Sequence, residues 1–342
     1  MKPVTHLIVF LFIIVAVSPI QTQEIIEPHS QLIGIAWSPD STRIAAFHDD
    51  YRVSIWPVGN LDEPVTTFQV DFVDELLWTP DSRYLIVQGV SIEDDTHLRM
   101  QATQWDADTG ELMDTLMNFE LDTRYEFNPY GYNIFPVLAF DSMTENTAFS
   151  FRDGTVYLSD GLNVLHVGES TTAHVYMMDW SPNNQRLAIV YGGSDAYSIH
   201  LFDVVSGERE YRIDQSMQYF VTDLAWDATG RYLATASMRF TCCEGWSNIG
   251  IYLTESSEST YLFPEQWLNE VRTSPAPLAW HPTETLLAFA GEESIEIISP
   301  IQDEQYALPV AQAIDIAWSP MGDQMAVITA SGVIEIHEAA VD

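Results

Sequence analysis

The chain has 342 residues, of which 46% are hydrophobic and 12% aromatic, enough for a large buried core and outside the range of a disordered chain. Fifty acidic residues against 13 basic ones leave a formal net charge of −37. A surface that negative repels phosphate backbones and anionic headgroups, which excludes nucleic acid as an expected partner; solubility in an extracellular medium is the simplest reading of the charge.

The first residues, MKPVTHLIVFLFIIVAVSPIQTQ, stand apart in composition. Lys2 precedes an unbroken apolar run from Leu7 to Val17, and small or polar residues follow at Ala16, Ser18 and Thr22. This is the pattern of a secretory signal peptide over residues 1–23, with a retained anchor as the alternative. The apolar run is short for a bilayer span. Residues 24–342 are then an exported domain, secreted or in the cell envelope, with no integral membrane segment once the signal is removed.

From Ile33 onward one phrase recurs. An aromatic before a tight turn marks each copy: Trp37, Trp78, Phe140, Trp180, Trp226, Trp280 and Trp318, at spacings of 41, 62, 40, 46, 54 and 38. The basic unit of about 40 residues is the length of one four-stranded propeller blade. Two residues before each mark stands a large aliphatic residue or Met: Ile35, Leu76, Leu138, Met178, Leu224, Leu278 and Ile316. One residue before it the side chain is mostly small: Ala36, Leu77, Ala139, Asp179, Ala225, Ala279 and Ala317. Large and small residues in alternation suit a strand buried on both faces near a crowded axis.

Turn strings such as SPDS, TPDS, SPNN and SPMG follow the mark, with Pro and Asp, Asn or Gly where a tight turn requires them. A second strand (RIAAF, RLAIV, QMAVI), a third (VSIWPV, IHLFDV, VIEIHE) and a more polar fourth (VTTFQV, EYRID) complete most units. Seven such units predict an all-β fold, a seven-bladed β-propeller of four-stranded antiparallel blades. The last unit ends after its third strand, and the segment EIIEPHS near the chain start is the expected fourth.

Insertions break the regular spacing. Gly89–Leu98, Tyr191–Ser198 and Ser237–Asn248 each follow a second strand, and Asn118–Pro136 and Pro264–Pro277 each follow a fourth. Strand direction alternates, so all five are expected as loops on one face of the disc. That face gathers Arg124, Tyr125, Tyr130, Tyr132, Arg239, Phe240, Trp246 and Trp267, the residue types that interface hot spots favour. They are the candidate partner-binding residues, for a protein, peptide or glycan; the alternative is that the aromatics only staple long loops to the blades. Cys242 and Cys243 lie in one of these insertions. Adjacent cysteines form a disulfide only with strain, so a vicinal bridge stands against free thiols or intermolecular pairing.

The segment Asp179–Glu208, DWSPNNQRLAIVYGGSDAYSIHLFDVVSGE, and the WDADTGE string at Trp105–Glu111 resemble the WD-repeat β-propeller family. The likeness covers roughly residues 28–342, although the Trp-Asp pair degenerates in other blades and the family's Gly-His dipeptide is missing. The resemblance implies a propeller used for binding or scaffolding, and His29, Asp50 and Trp56 as a partial version of the family's His–Asp–Trp network. These motifs are structural and carry no chemistry themselves.

Catalytic signatures are sparse. The nine His show neither H-x-x-x-H nor H-E-x-x-H spacing, and GGSDA (Gly192–Ala196) lacks the final Gly of a nucleophile elbow. EDDTH (Glu93–His97) lacks the Gly and spaced acids of a calcium loop. No cofactor or metal site and no enzymatic activity is expected. Asp74, Asp179, Asp223 and Asp315 recur one to four residues before the marker aromatic. They are expected to reach the channel or to hydrogen-bond neighbouring blades. A propeller hydrolase or lyase using channel carboxylates, with or without a divalent cation, is the alternative to a binding module, and a purely architectural envelope protein is a third.

Overall fold

The computed structural model describes residues 30–92, 97–122, 137–141, 146–150, 154–159, 164–167, 174–192, 197–214, 220–240, 245–255, 276–291, 293–302 and 305–339. The regular elements among them are twenty-six strands, numbered β1 to β26 in chain order. They form seven antiparallel sheets, consecutive along the chain, so the fold is an all-β seven-bladed propeller. Five blades have four strands, and blades 5 and 7 have three among the described residues. The EIIEPHS segment, expected to complete blade 7, lies outside the described residues apart from Ser30.

The innermost strands are β1 (Leu32–Trp37), β5 (Glu75–Trp78), β9 (Leu138–Phe140), β13 (His174–Trp180), β17 (Phe220–Trp226), β20 (Leu278–Trp280) and β24 (Ala313–Trp318). Strand β1 packs against both β5 and β24, so the ring closes between its first and last blades.

The core is seven separate cores, one in each gap between blades. The period of the strand decides which gap a side chain fills, because successive residues point to opposite faces. On β14 (Arg186–Gly192), Leu187 and Ile189 pack towards blade 3, while Ala188 and Val190 pack towards blade 5. All four are fully buried. Each large aliphatic side chain of this kind contributes about 1.5–3 kcal/mol by leaving water.

The marker aromatics explain the small residues beside them. The indole N–H of Trp37 donates to the Ala317 carbonyl at 3.0 Å, and that of Trp78 to Ala36 at 3.2 Å. Trp180 donates to Ala139, Trp226 to Asp179, Trp280 to Ala225 and Trp318 to Ala279. In all six the acceptor is the residue just before the preceding blade's own marker. A small side chain there lets the indole reach the backbone. At the seventh junction the marker is Phe140, which has no N–H to donate. There Gln88 of β6 (Tyr84–Ile92) substitutes, its side-chain oxygen accepting the backbone N–H of Phe140 at 2.9 Å.

In five blades the turn after the marker is closed by a side chain that bonds the next strand. The hydroxyls of Ser38, Thr79, Ser181 and Ser319 accept the backbone N–H five residues on. Asp227 does the same with a carboxylate oxygen towards Tyr232. Four residues after the marker the backbone turns left-handed at Ser41, Ser82, Asn184, Gly230 and Gly322. At Gly322 a Cβ would also stand 2.2 Å from His281 Nε2, so glycine answers both constraints.

The name-giving dipeptide of the repeat has a similar role on the outer turn. Asp106 accepts the N–H groups of Asp108 and Thr109, and Asp203 accepts that of Ser206. The backbone N–H of Thr109 above all, with the Thr109 hydroxyl and the Asp108 N–H, outweighs a small burial cost and holds the Asp106 carboxyl below its ordinary value. Asp50 accepts the N–H of Arg52 within its own hairpin turn; its expected partner His29 lies outside the described residues.

Candidate functional site

Innermost strands begin on one face of the disc and end on the other, so connections after second and fourth strands share the face where innermost strands begin. The structure corrects the character of the three insertions after second strands, whose described residues are sheet, while Asn118–Pro136 past Asp122 and Pro264–Pro277 before Ala276 lie outside the described residues. Strand β6 runs to Ile92, β7 spans His97–Asp106 and β8 spans Leu112–Asp122. Pairing continues to Ile92–Leu98 between β6 and β7, and to His97–Asp122 between β7 and β8, the latter with register shifts at Ala102/Thr103 and Gln104/Trp105. Blade 6 is the unadorned reference, its β21 (Leu287–Ala290) and β22 (Ile295–Ile298) holding four residues each. The nine residues of β6 therefore raise blade 2 above the disc by about 15 Å.

Blade 5 repeats the device with β18 (Tyr232–Phe240) and β19 (Gly245–Leu253), paired as far as Phe240 and Gly245. Blade 4 extends less, to the Gly192–Tyr197 pair with β15 (Tyr197–Asp203). Gly89 and the acids after Ile92 interrupt the apolar pattern, so these segments read as loops, but backbone pairing to a long neighbour and buried side chains such as Met100, Met238 and Tyr197 carry the strands on.

The tall sheet of blade 2 is braced at two points. Phe119 on β8 lies 5.1 Å from Phe149 of blade 3, ring centre to ring centre. Asp74 grips its base, donating its backbone N–H to the Gln88 carbonyl and accepting the Val90 N–H at 2.8 Å.

Of the candidate contact residues, Arg239, Phe240 and Trp246 fall on the strands of the blade 5 hairpin, with Arg239 opposite Trp246 and Phe240 opposite Gly245. Their side chains lie outside the described residues, as do Arg124, Tyr125, Tyr130, Tyr132, Trp267, Cys242 and Cys243.

A second assembly lies on the axis. Glu75, Asp179, Asp223 and Asp315, from blades 2, 4, 5 and 7, act on one another electrostatically and form an acid collar. Three of them bridge blades. Asp315 accepts the Ile316 N–H on its own strand and the Ile35 N–H of blade 1, both at 2.9 Å. Asp223 accepts from Leu224 and from Leu278 of blade 6, both at 2.8 Å. Asp179 accepts from Trp180 and from Trp226 of blade 5. Glu75 accepts from the side-chain amide of Gln88, whose oxygen in turn holds Phe140 of blade 3. Asp179, Asp223 and Asp315 thus hydrogen-bond neighbouring blades, one of the two roles expected of them, and Asp74 pins its own.

Glu75 exposes surface to the channel and the three Asp are half-buried, yet protein surrounds all four closely. A side chain on an innermost strand can touch water along one side while weakly polarisable protein fills the rest. That burial, against the Gln88 bond and reinforced by the Asp223 and Asp74 charges, pushes Glu75 up to about 7. Burial raises Asp315 to about 7 and Asp223 to about 6, both against their backbone N–H bonds, and raises Asp179 well above its ordinary range.

The sequence reading passed over Glu75, although a signal was there. It precedes Trp78 by three residues, the same offset that separates Asp223 from Trp226 and Asp315 from Trp318. Among the described residues no cluster of three or more His, Cys, Asp or Glu side chains has the arrangement of a metal site. No helix among them is long and apolar enough to cross a membrane.

Ring, tryptophan register and capped turns together define a seven-bladed β-propeller built from one repeated blade. The model of the WD domain, G-beta repeat, matches residues 19–57, and that of the eukaryotic translation initiation factor eIF2A matches residues 142–250. These matches, with the seven-bladed ring, support a WD-repeat-like β-propeller. No curated protein matches it by sequence. Among solved structures, "Kuenenia stuttgartiensis Hydrazine Synthase" is similar with a TM-score of 0.67 at 15% identity, over 95% of this chain and 100% of that one. A chain of "Crystal Structure of Mitotic Checkpoint Complex" has a TM-score of 0.60 at 14% identity, over 98% and 99%. At these identities the likeness shows the fold alone.

Proposed function

We propose that this chain is an exported binding or scaffold module that presents its hairpin-bearing face to a protein, peptide or glycan. The observation that carries the reading is the one-sided elaboration: among the described residues, the lengthened strands of blades 2, 4 and 5 all rise from the face where innermost strands begin. Binding residues concentrate on projections from a rigid scaffold, and a propeller is such a scaffold. Export rests on the signal-like segment 1–23 and on a net charge of −37.

The hydrolase or lyase alternative would need free carboxylates in the channel. Asp179, Asp223 and Asp315 are engaged instead with backbone N–H groups and Glu75 with the Gln88 side-chain amide, which favours a structural role for them.

The test is a peptide and glycan array probed with the mature protein and with two shortened forms. One joins β6 to β7 at the Val90–Met100 pair, and the other joins β18 to β19 at the Ser237–Asn248 pair. The parent is expected to bind a defined ligand class, and at least one shortened form to lose it while keeping its fold. Retention of the same ligands by both shortened, folded proteins would reject the reading. Fractionation of the source cells tests export separately.

A further inference from the structure

The acid collar is assembled from parts that need not have been acidic. Four carboxylates from four blades converge on one axis, and the innermost strands of blades 1, 3 and 6 add no titratable side chain. Asp74 stands beside Glu75 and shares its surroundings. The other titratable groups on these innermost strands are His174 and Tyr176 of β13. No Lys or Arg occurs on any innermost strand, so no cation of those strands offsets the four acids.

Two effects of ionisation oppose each other here. Charge strengthens the N–H bonds that Asp179, Asp223 and Asp315 accept across the blade gaps. Charge also sets four like groups against one another in a narrow pore, where protein limits solvation. The bridging bonds survive protonation, because a neutral carboxyl keeps acceptor capacity. The repulsion does not.

We propose that the collar is a pH-sensitive clamp: the ring is loosest when all of its acids are ionised and tightens as the collar takes up protons. The raised values of Glu75, Asp179, Asp223 and Asp315 agree in direction. The native ring then holds protons more strongly than the unfolded chain does. Its stabilisation by the collar is fully present below the ordinary carboxylate range near pH 4 and is lost as pH rises through about 6 to 7. Acidification from about pH 8.5 to about pH 5.5 should strengthen this protein, the reverse of common acid denaturation. Gln88 links Glu75 to Phe140, and Asp74 pins Val90, so the clamp reaches the base of the blade 2 hairpin.

Glu75→Gln is the informative variant. It removes one charge from the group that acts on Asp179 and Asp315, yet its amide oxygen still accepts from Gln88. Glu63→Gln, an exposed acid outside the collar, is the control for net charge. Thermal unfolding is followed from about pH 5.5 to about pH 8.5 in high salt, which screens the exposed charges. The expected result is a Tm that rises on acidification in the parent and in Glu63→Gln. Glu75→Gln should melt higher than both at the alkaline end, with a flatter profile. Identical profiles for the two variants would overturn the proposal. Infrared spectroscopy of the parent decides the matter if Glu75→Gln does not fold. A protonated-carboxyl band is expected in the native protein at about pH 6.5, lost on unfolding at that pH and at about pH 9. A native spectrum holding only carboxylate bands at about pH 6.5 would refute the clamp.

Discussion

Replacing Trp280 with Phe removes one interblade latch and little else. The indole donates to the Ala225 carbonyl at 2.9 Å and is 9% exposed, in the gap between blades 5 and 6. Losing the donor leaves a largely buried carbonyl without that partner, at a cost of about 1–3 kcal/mol. The smaller ring sacrifices packing against Tyr232 and its neighbours, adding about 1 kcal/mol. The expected loss is therefore about 2–4 kcal/mol, or a fall in Tm of roughly 3–6 °C for a chain of this size. Urea unfolding with an unchanged m-value measures it. Phe289→Leu, in the same core and without a hydrogen bond, separates packing from the latch and should cost less. A loss below about 1 kcal/mol for Trp280→Phe, or one no larger than that of Phe289→Leu, would refute the latch argument.

Gly322→Ala should cost about 1–3 kcal/mol in the same assay, because φ is +77° and the added carbon would collide with the His281 ring. Asp227→Ala removes the cap on the Tyr232 and Thr229 N–H groups; a loss of about 1–2 kcal/mol in urea unfolding is expected, and Asp227→Asn should recover part of it. Arg43 bonds the Ser82 carbonyl, meets Asp108 at 2.7 Å and lies 5.1 Å from the centre of the Trp78 ring. Arg43→Lys should cost about 1 kcal/mol, since an ammonium cannot reproduce that geometry. Asp108→Asn should cost close to nothing in parallel melts, because Asp108 is 81% exposed.

The number of blades was legible because burial on both faces leaves a local trace. Each innermost strand places a large residue two before an aromatic, with a small residue between them in five of the seven, and each turn has Ser, Thr, Asp or His after the aromatic. These constraints act within ten residues, so Trp37, Trp180 and Trp318 announced their blades one at a time. Phe140 was legible as a marker, but its missing N–H gained meaning only when Gln88, fifty-two residues away in sequence, proved to hold its backbone.

The insertions after second strands were read as loops, and their described residues proved to be sheet. Strand pairing at the tops of the blades is sustained largely by a neighbour's backbone, and the alternations Val90/Ile92 and Met238/Phe240 hold only two apolar residues each, too few to tell strand from loop. The acid collar is the same lesson in electrostatics. Asp179, Asp223 and Asp315 stood out as recurring acids, yet fifty carboxylates hide any particular group of four. Sequence by itself determined the repeat, the turns, the marker aromatics and the charge, because each depends on residues close together along the chain. Only the closed ring decided which acids share a pore, which carbonyl each indole reaches and which face carries the tall hairpins, because those relations join residues that ring closure alone brings together.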